Sequence, residues 1–220
     1  MKILSVKSLE IPDIKVIRFA RFHDPRGYFT EQFRKSDLSN TPELGSMKNI
    51  EFVQANESYS KKGTVRGLHF QWNPHMGKLV RILSGHMIDL ALDIRKGSPT
   101  NGKILAYDMT TSKDKEYGEL IWIPPGFAHG FCFPENSLIE YLCSGEYNPN
   151  CETGISPLSK DLDWSLCDKR LKQSFYGIAE KTDLITEKDR NAQTLGEWEG
   201  DKRAENFRYS DLKEKGIFSE

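Results

Sequence analysis

The sequence predicts a mainly β fold, an all-β sandwich, jelly roll or barrel, with helices packed on its outside in the C-terminal part. Three observations carry this. Short runs rich in β-branched and aromatic residues recur from about residue 14 to residue 145. Gly, Pro and Asn punctuate them at turn-like intervals, and no strand–helix alternation of the parallel α/β kind interrupts them. After "LDW" at 162–164 the texture turns polar, charged and poor in β-branched residues.

The elements follow in order. "KVIRFARFHD" ends in the turn-like "DPRG", and "RKSDLSN" suits a short helix that Ser36 or Asp37 caps or opens. "NIEFVQANESYS" runs into "KKG", and "TVRGLHFQ" and "GKLVRILSG" come next. In "HMIDLALDI" a strand puts Met87, Asp89, Ala91 and Asp93 on one face and Ile88, Leu90, Leu92 and Ile94 on the other. "KILAYDMT", "LIWIPPG" and "SLIEYLCSGEY" continue the pattern, with Pro124, Pro125 and Gly126 breaking a strand before His129. "KDLDWSLCDKRLKQ" and "TEKDRNAQTLGEWEGDKRAENFRYSDLKEKG" read as helical segments and loops. The division expected is a β-domain over 1–165 and a polar extension over 166–220 packed on it.

Composition bounds the function. With 31 basic and 32 acidic residues among 220 and a formal charge of −1, the chain has no global basic field, which argues against nucleic acid as a partner. Lysines and acidic residues interrupt the N-terminus, so neither a signal peptide nor a transmembrane helix is expected. Cysteines 132, 143, 151 and 167 have no C-x-x-C spacing, which fits free thiols in a reducing cytoplasm. The five histidines, at 23, 69, 75, 86 and 129, contain no H-x-H, so no metal site is expected.

"GTVRGLHFQ" (63–71) poses a sharper problem, because it places a cation and an imidazole among strand-like apolar positions. Taken singly, each polar residue here has a plain structural reading. His69 and His129 suit satisfied core histidines, and Arg66 a structural salt bridge. Lys78 could snorkel, Tyr141 could be an inward strand tyrosine, and Asp189 in "TEKDRN" a solvated helix charge.

Eight motifs, taken together in order, change that. "DPRGYFTE" (24–31), "FVQANESYS" (52–60), "VRGLHFQ" (65–71), "GKLVR" (77–81), "DIRKGSPTNG" (93–102), "IPPGFAHGF" (123–131), "EYLCSGEYNP" (140–149) and "TEKD" (186–189) resemble the dTDP-4-dehydrorhamnose 3,5-epimerases. These are nucleotide-sugar epimerases on a jelly-roll, cupin-like scaffold. The resemblance implies an isomerase that needs no cofactor, binds a nucleotide diphosphate-sugar and forms a homodimer. It implies His69 as general base, Asp189 as its paired carboxylate and Tyr141 as proton donor on the opposite sugar face. Lys78 falls near the 4-keto oxygen, His129 is a second active-site histidine, and Tyr147 stacks on the nucleotide base. Arg26, Glu31, Gln54, Asn56, Arg66, Glu152 and Lys188 match substrate contacts, and the segment around Arg26 can serve the partner subunit's site. Asn101 stands where an aromatic is usual, "LDWSL" lacks a proline, the spacer between His69 and Lys78 is a residue short compared with some members, and "SFYGIAEKTDLI" is extra.

The chemistry suits those residue types. A 4-keto sugar has acidic C–H bonds at C3 and C5, and a neutral imidazole is a suitable base near pH 7. A carboxylate on its far nitrogen fixes the tautomer, and a cation stabilises the enolate oxygen. A C3-only or C5-only epimerase, one acting on a CDP- or GDP-sugar, a non-catalytic sugar-nucleotide-binding cupin and, more weakly, a metal-dependent cupin remain open. One expectation is purely geometric. Arg66 and His69 are three apart, so on a regular strand they face opposite sides. If both reach one ligand, the strand must bend or bulge at Gly67.

Overall fold

The computed structural model describes residues 1–216. Among these described residues thirteen strands form in chain order. They are β1 (Ile3–Ser8), β2 (Lys15–Ala20), β3 (Phe22–Asp24), β4 (Gly27–Phe29), β5 (Gln54–Ser60), β6 (Val65–Gln71), β7 (Lys78–Ser84), β8 (His86–Asp93), β9 (Ile104–Thr110), β10 (Tyr117–Ile123), β11 (Phe127–Cys132), β12 (Ser137–Cys143) and β13 (Glu152–Gly154). They make a six-stranded sheet of order β1-β2-β10-β7-β12-β5, a five-stranded sheet of order β13-β6-β11-β8-β9, and the separate β3–β4 hairpin. The pairings are antiparallel, and the two large sheets pack face to face as a jelly-roll sandwich.

Three apolar clusters set four layers. Val16, Val80, Ile121 and Ile139 of one sheet meet Met87, Ala91, Leu105 and Phe131 of the other between the sheets. Val65, Leu68, Ile88, Leu90 and Leu92 on the outer face of the five-stranded sheet are covered by Trp164, Phe175, Trp198, Phe207 and Leu212. Ile17, Leu79, Leu120 and Trp122 on the outer face of the six-stranded sheet are covered by Leu38, Leu44 and Met47. This double cover explains why β8 alternates as expected and is nevertheless buried along both faces.

The helical cover is α1 (Lys35–Asn40), α2 (Lys169–Ala179), α3 (Glu187–Arg190), α4 (Leu195–Glu199) and α5 (Tyr209–Glu214), joined by short 3-10 turns. The polar texture after residue 164 hides a few large anchors. Trp198, Phe207 and Phe175 are almost fully buried, and each such side chain contributes about 1.5–3 kcal/mol by leaving water. Two expectations are corrected. Helix α1 forms where expected with Ser36 and Asp37 in its first turn, but neither caps it: Arg34 enters it without a side-chain cap, and Asp37 receives the N-terminal ammonium group. The sheet also begins earlier than residue 14, because β1 pairs along β2.

Candidate active site

The irregularity expected at Gly67 is present. Strand β6 pairs with β11 through His69↔His129 and Arg66↔Phe131, so three steps on one strand match two on the other. The extra residue is Gly67, at φ +105°. A Cβ there would lie 2.6 Å from Gly130 Cα and 2.7 Å from the His129 carbonyl oxygen, so only glycine allows this approach. The bulge shifts the alternation by one. Val65 and Leu68 both face the outer core, while Arg66 and His69 both line the space between the sheets.

That space is a cavity of about 560 Å³ lined by Gln54, Asn56, His69, Lys78, His129, Tyr141, Tyr147 and Glu152. It continues into a lobe of about 300 Å³ with Arg66, Lys188 and Asp189, and the two share His69, Lys78, His129 and Tyr141. His69, His129 and Glu152 come from the five-stranded sheet, whereas Gln54, Asn56, Lys78 and Tyr141 come from the six-stranded sheet. The imidazoles and the phenol therefore stand on opposite walls.

His69 Nε2 lies 2.7 Å from Asp189 Oδ1, and the Gly67 N–H donates to Asp189 Oδ2 at 3.2 Å. Helix α3 makes this contact: Thr186 caps it by accepting from the Asp189 N–H, and Asp189 in its first turn is buried against β6. Burial pushes the Asp189 carboxyl up, but the hydrogen bonds from His69 and Gly67 and the charge of His69 outweigh it, and its pKa lies below the ordinary value. An ionised Asp189 places the imidazole proton on Nε2 and leaves the Nδ1 lone pair available to the cavity.

His129 is fully enclosed, with Nε2 3.0 Å from both oxygens of Asp89. Burial lowers its pKa against the pull of Asp89, which keeps the ring neutral. Asp89 was not among the residues expected at the site. Its signal was present, as a carboxylate on the inward face of a strand with apolar neighbours on both sides of it. Lys78 Nζ makes no ion pair with a described residue. Burial lowers its pKa, and Cys143, Asp89 and Glu152 act against that. Burial raises the pKa of Tyr141, also favoured by Cys143, so the phenol is protonated at neutral pH.

The remaining expected residues divide. Tyr147 is 57% exposed at the cavity mouth. Gln54 lines the cavity, but its amide is engaged, accepting from Tyr147 N at 2.8 Å and donating to Asn56 at 3.0 Å. Arg66 donates to Ser60 Oγ at 3.0 Å, and Lys188 pairs with Glu152 at 3.2 Å. Within one chain Arg26 and Glu31 stand outside the cavity. Arg26 caps the projecting β3–β4 hairpin and pairs with Asp24, and Glu31 binds the N-terminal ammonium and Arg34. Ser58, which lines both lobes, was not anticipated.

The arrangement offers a carboxylate-backed imidazole, a lysine without an ion pair among the described residues and a protonated phenol around one cavity. Known proteins resemble this chain in sequence and fold. Residues 8–197 match the family described as dTDP-4-dehydrorhamnose 3,5-epimerase. The enzyme of that name from Shigella flexneri is 35% identical over 194 residues, covering 86% of this chain and 95% of its own length. The Legionella pneumophila dTDP-6-deoxy-D-glucose-3,5-epimerase, solved in complex with dTDP-4-keto-L-rhamnose, superposes with a TM-score of 0.76 at 32% identity, over 93% of this chain and 98% of that one. A 3'-monoepimerase from Streptomyces bikiniensis, in complex with dTDP-quinovose, gives a TM-score of 0.73 at 25% identity, over 95% of this chain and 96% of that one. By the family match and by the identity to its relatives, the chain belongs to the dTDP-4-dehydrorhamnose 3,5-epimerase family.

Proposed function

We propose that this protein inverts C3 and C5 of dTDP-4-dehydro-6-deoxy-D-glucose, giving dTDP-4-dehydro-L-rhamnose. The observation that carries the reading is the placement of His69 and Tyr141 on facing sheets across one cavity, with Lys78 beside them. A sugar ring held between the sheets presents one face to each. His69 Nδ1 takes the proton alpha to the C4 carbonyl, and Asp189 stabilises the imidazolium. Lys78 meets the negative charge that grows on O4. Tyr141 returns a proton from the other face, which inverts the carbon. Removing and returning a proton is redox-neutral, so the reading calls for no redox cofactor.

Binding follows the two lobes. Tyr147 offers a ring to the nucleotide base, and Gln54, Asn56 and Glu152 line that side. Arg66 and Lys188 in the second lobe suit the diphosphate. His129, kept neutral by burial and bonded to Asp89, contributes a polar wall beside the base. Arg26, with exposed Phe22, Tyr28 and Phe29 on the same hairpin, fits a homodimer in which the hairpin reaches the partner's site together with Glu31. The unpaired cysteines accord with the cytoplasm, and no described helix is long and apolar enough to cross a membrane. The test is the NMR structure of the product formed from dTDP-4-dehydro-6-deoxy-D-glucose. Inversion at both C3 and C5 is expected. Inversion at C3 alone would put the chain with the Streptomyces monoepimerase in function, and no turnover would leave it a binding protein.

A further inference from the structure

Tyr147 presents an exposed ring on a backbone that is pinned on three sides. The Glu146 carbonyl accepts from Gln71 Nε2 at 3.0 Å, the Tyr147 N–H donates to Gln54 Oε1 at 2.8 Å, and the Asn148 N–H donates to Gln71 Oε1 at 2.7 Å. Gln71 Nε2 also donates to the Pro74 carbonyl at 2.9 Å. The two Nε2 hydrogens thus meet two carbonyls and Oε1 meets an N–H, so the partners fix the orientation of the amide. Gln71 is 3% exposed, and no other side chain supplies two donors and an acceptor in one planar group at this length. The loops it joins are packed as well as bonded. A Cβ on Gly145 would meet Pro74 Cγ at 2.7 Å, and Ser144 and Gly77 exchange hydrogen bonds of 2.8 and 3.0 Å.

Gln71 ends the strand that carries His69. The two are two residues apart, line the same cavity and stand about 7 Å apart along the strand. We infer that Gln71 is a positioning residue: its buried amide ties the Tyr147 loop to the His69 strand and so fixes the distance between the stacking ring and the base. This rests on the reading of Tyr147 as the contact to the nucleotide base. A backbone held in place before the ligand arrives leaves only the ring's own rotation to be lost on binding, so the clamp acts on affinity more than on the chemical step. It also couples two sites of the reaction, because a ligand stacked on Tyr147 is placed relative to His69 by one rigid side chain.

The test uses the full-length protein and dTDP as probe. Gln71→Met keeps the volume and removes all three hydrogen bonds. The dissociation constant of dTDP, read by calorimetry, should rise about tenfold, and KM for the dTDP-sugar should rise by a larger factor than kcat falls. Gln71→Asn, which keeps an amide but shortens its reach by one methylene and so withdraws it from the Glu146 carbonyl and the Asn148 N–H, should weaken dTDP about threefold and reports on the same clamp if Gln71→Met does not fold. In a Tyr147→Ala background, Gln71→Met should add less than about twofold, because the effect travels through the ring. A Gln71→Met protein that melts earlier but binds dTDP normally overturns the inference, as does an undiminished effect in the Tyr147→Ala background. Should Gln71→Met not fold, normal dTDP binding by Gln71→Asn overturns it. If Tyr147→Ala itself leaves dTDP affinity unchanged, the stacking role falls and the clamp with it. If only Tyr147→Ala weakens binding, the clamp alone falls.

Discussion

Replacing Asp189 with asparagine removes one charge and one acceptor while hardly altering shape. In the fold Asp189 accepts twice, from His69 Nε2 at 2.7 Å and from the Gly67 N–H at 3.2 Å. Asparagine has one acceptor oxygen. If that oxygen keeps the bond from Gly67, the amide NH2 faces His69 Nε2 and forces the proton onto Nδ1, where the base must be bare. If it keeps His69 instead, the buried Gly67 N–H faces an NH2 group, which costs about 1–3 kcal/mol. The imidazolium formed during proton abstraction also loses a charge-assisted bond, about 1.5–3 kcal/mol. Together these amount to about 2.5–6 kcal/mol, or roughly 10²- to 10⁴-fold in kcat. Because Asp189 reaches the substrate only through His69, dTDP affinity should change less than about threefold. Steady-state turnover and dTDP calorimetry on Asp189→Asn supply both numbers. A kcat within tenfold of wild type would refute the tautomer reasoning.

Other expected outcomes follow from the same geometry. The Asp189 carboxyl titrates below its ordinary value in the fold, so its contribution to stability is complete above about pH 4 and fades as pH falls through that lowered value; melting temperatures of wild type and Asp189→Ala should converge in acid. Burial lowers the Lys78 pKa, so the alkaline limb of kcat should fall below the ordinary lysine value of about 10.4, and Lys78→Arg, if active, should move that limb upward. A limb unchanged in Lys78→Arg would assign it to another group. Gly67→Ala drives a Cβ against Gly130 and His129 backbone at 2.6 and 2.7 Å and places alanine at φ +105°, so denaturant titration should show a loss of at least about 2 kcal/mol.

Much of this site was legible in residues 63–71, because the sheet period turns a three-residue spacing into a demand for a bulge. The eight-residue run of β8 was equally legible, since alternation survives burial on both faces. The pairing of Asp89 with His129 was not. It depends on which strands become neighbours across 40 positions of sequence, and local pattern carries no information about that. The C-terminal cover was half legible. Its charge announced helices and loops, but Trp198 and Phe207 were too sparse to announce a buried face. Asp189 lay beyond an unusual insertion, and helix α3 nevertheless delivers its carboxylate to His69. Arg26 and Glu31 are also placed by local pairing: within one chain they bind Asp24, Arg34 and the N-terminal ammonium, and neither lines the cavity.

The most direct measurement is deuterium wash-in from D₂O into dTDP-4-dehydro-6-deoxy-D-glucose, followed by NMR at C3 and C5. Wild type should incorporate deuterium at both positions and yield inverted product. His69→Ala should incorporate none, and Tyr141→Phe should retain exchange with impaired inversion. Exchange that persists at wild-type rate without His69, or a wild-type protein that exchanges neither proton, would contradict the assignment of a His69–Tyr141 epimerase.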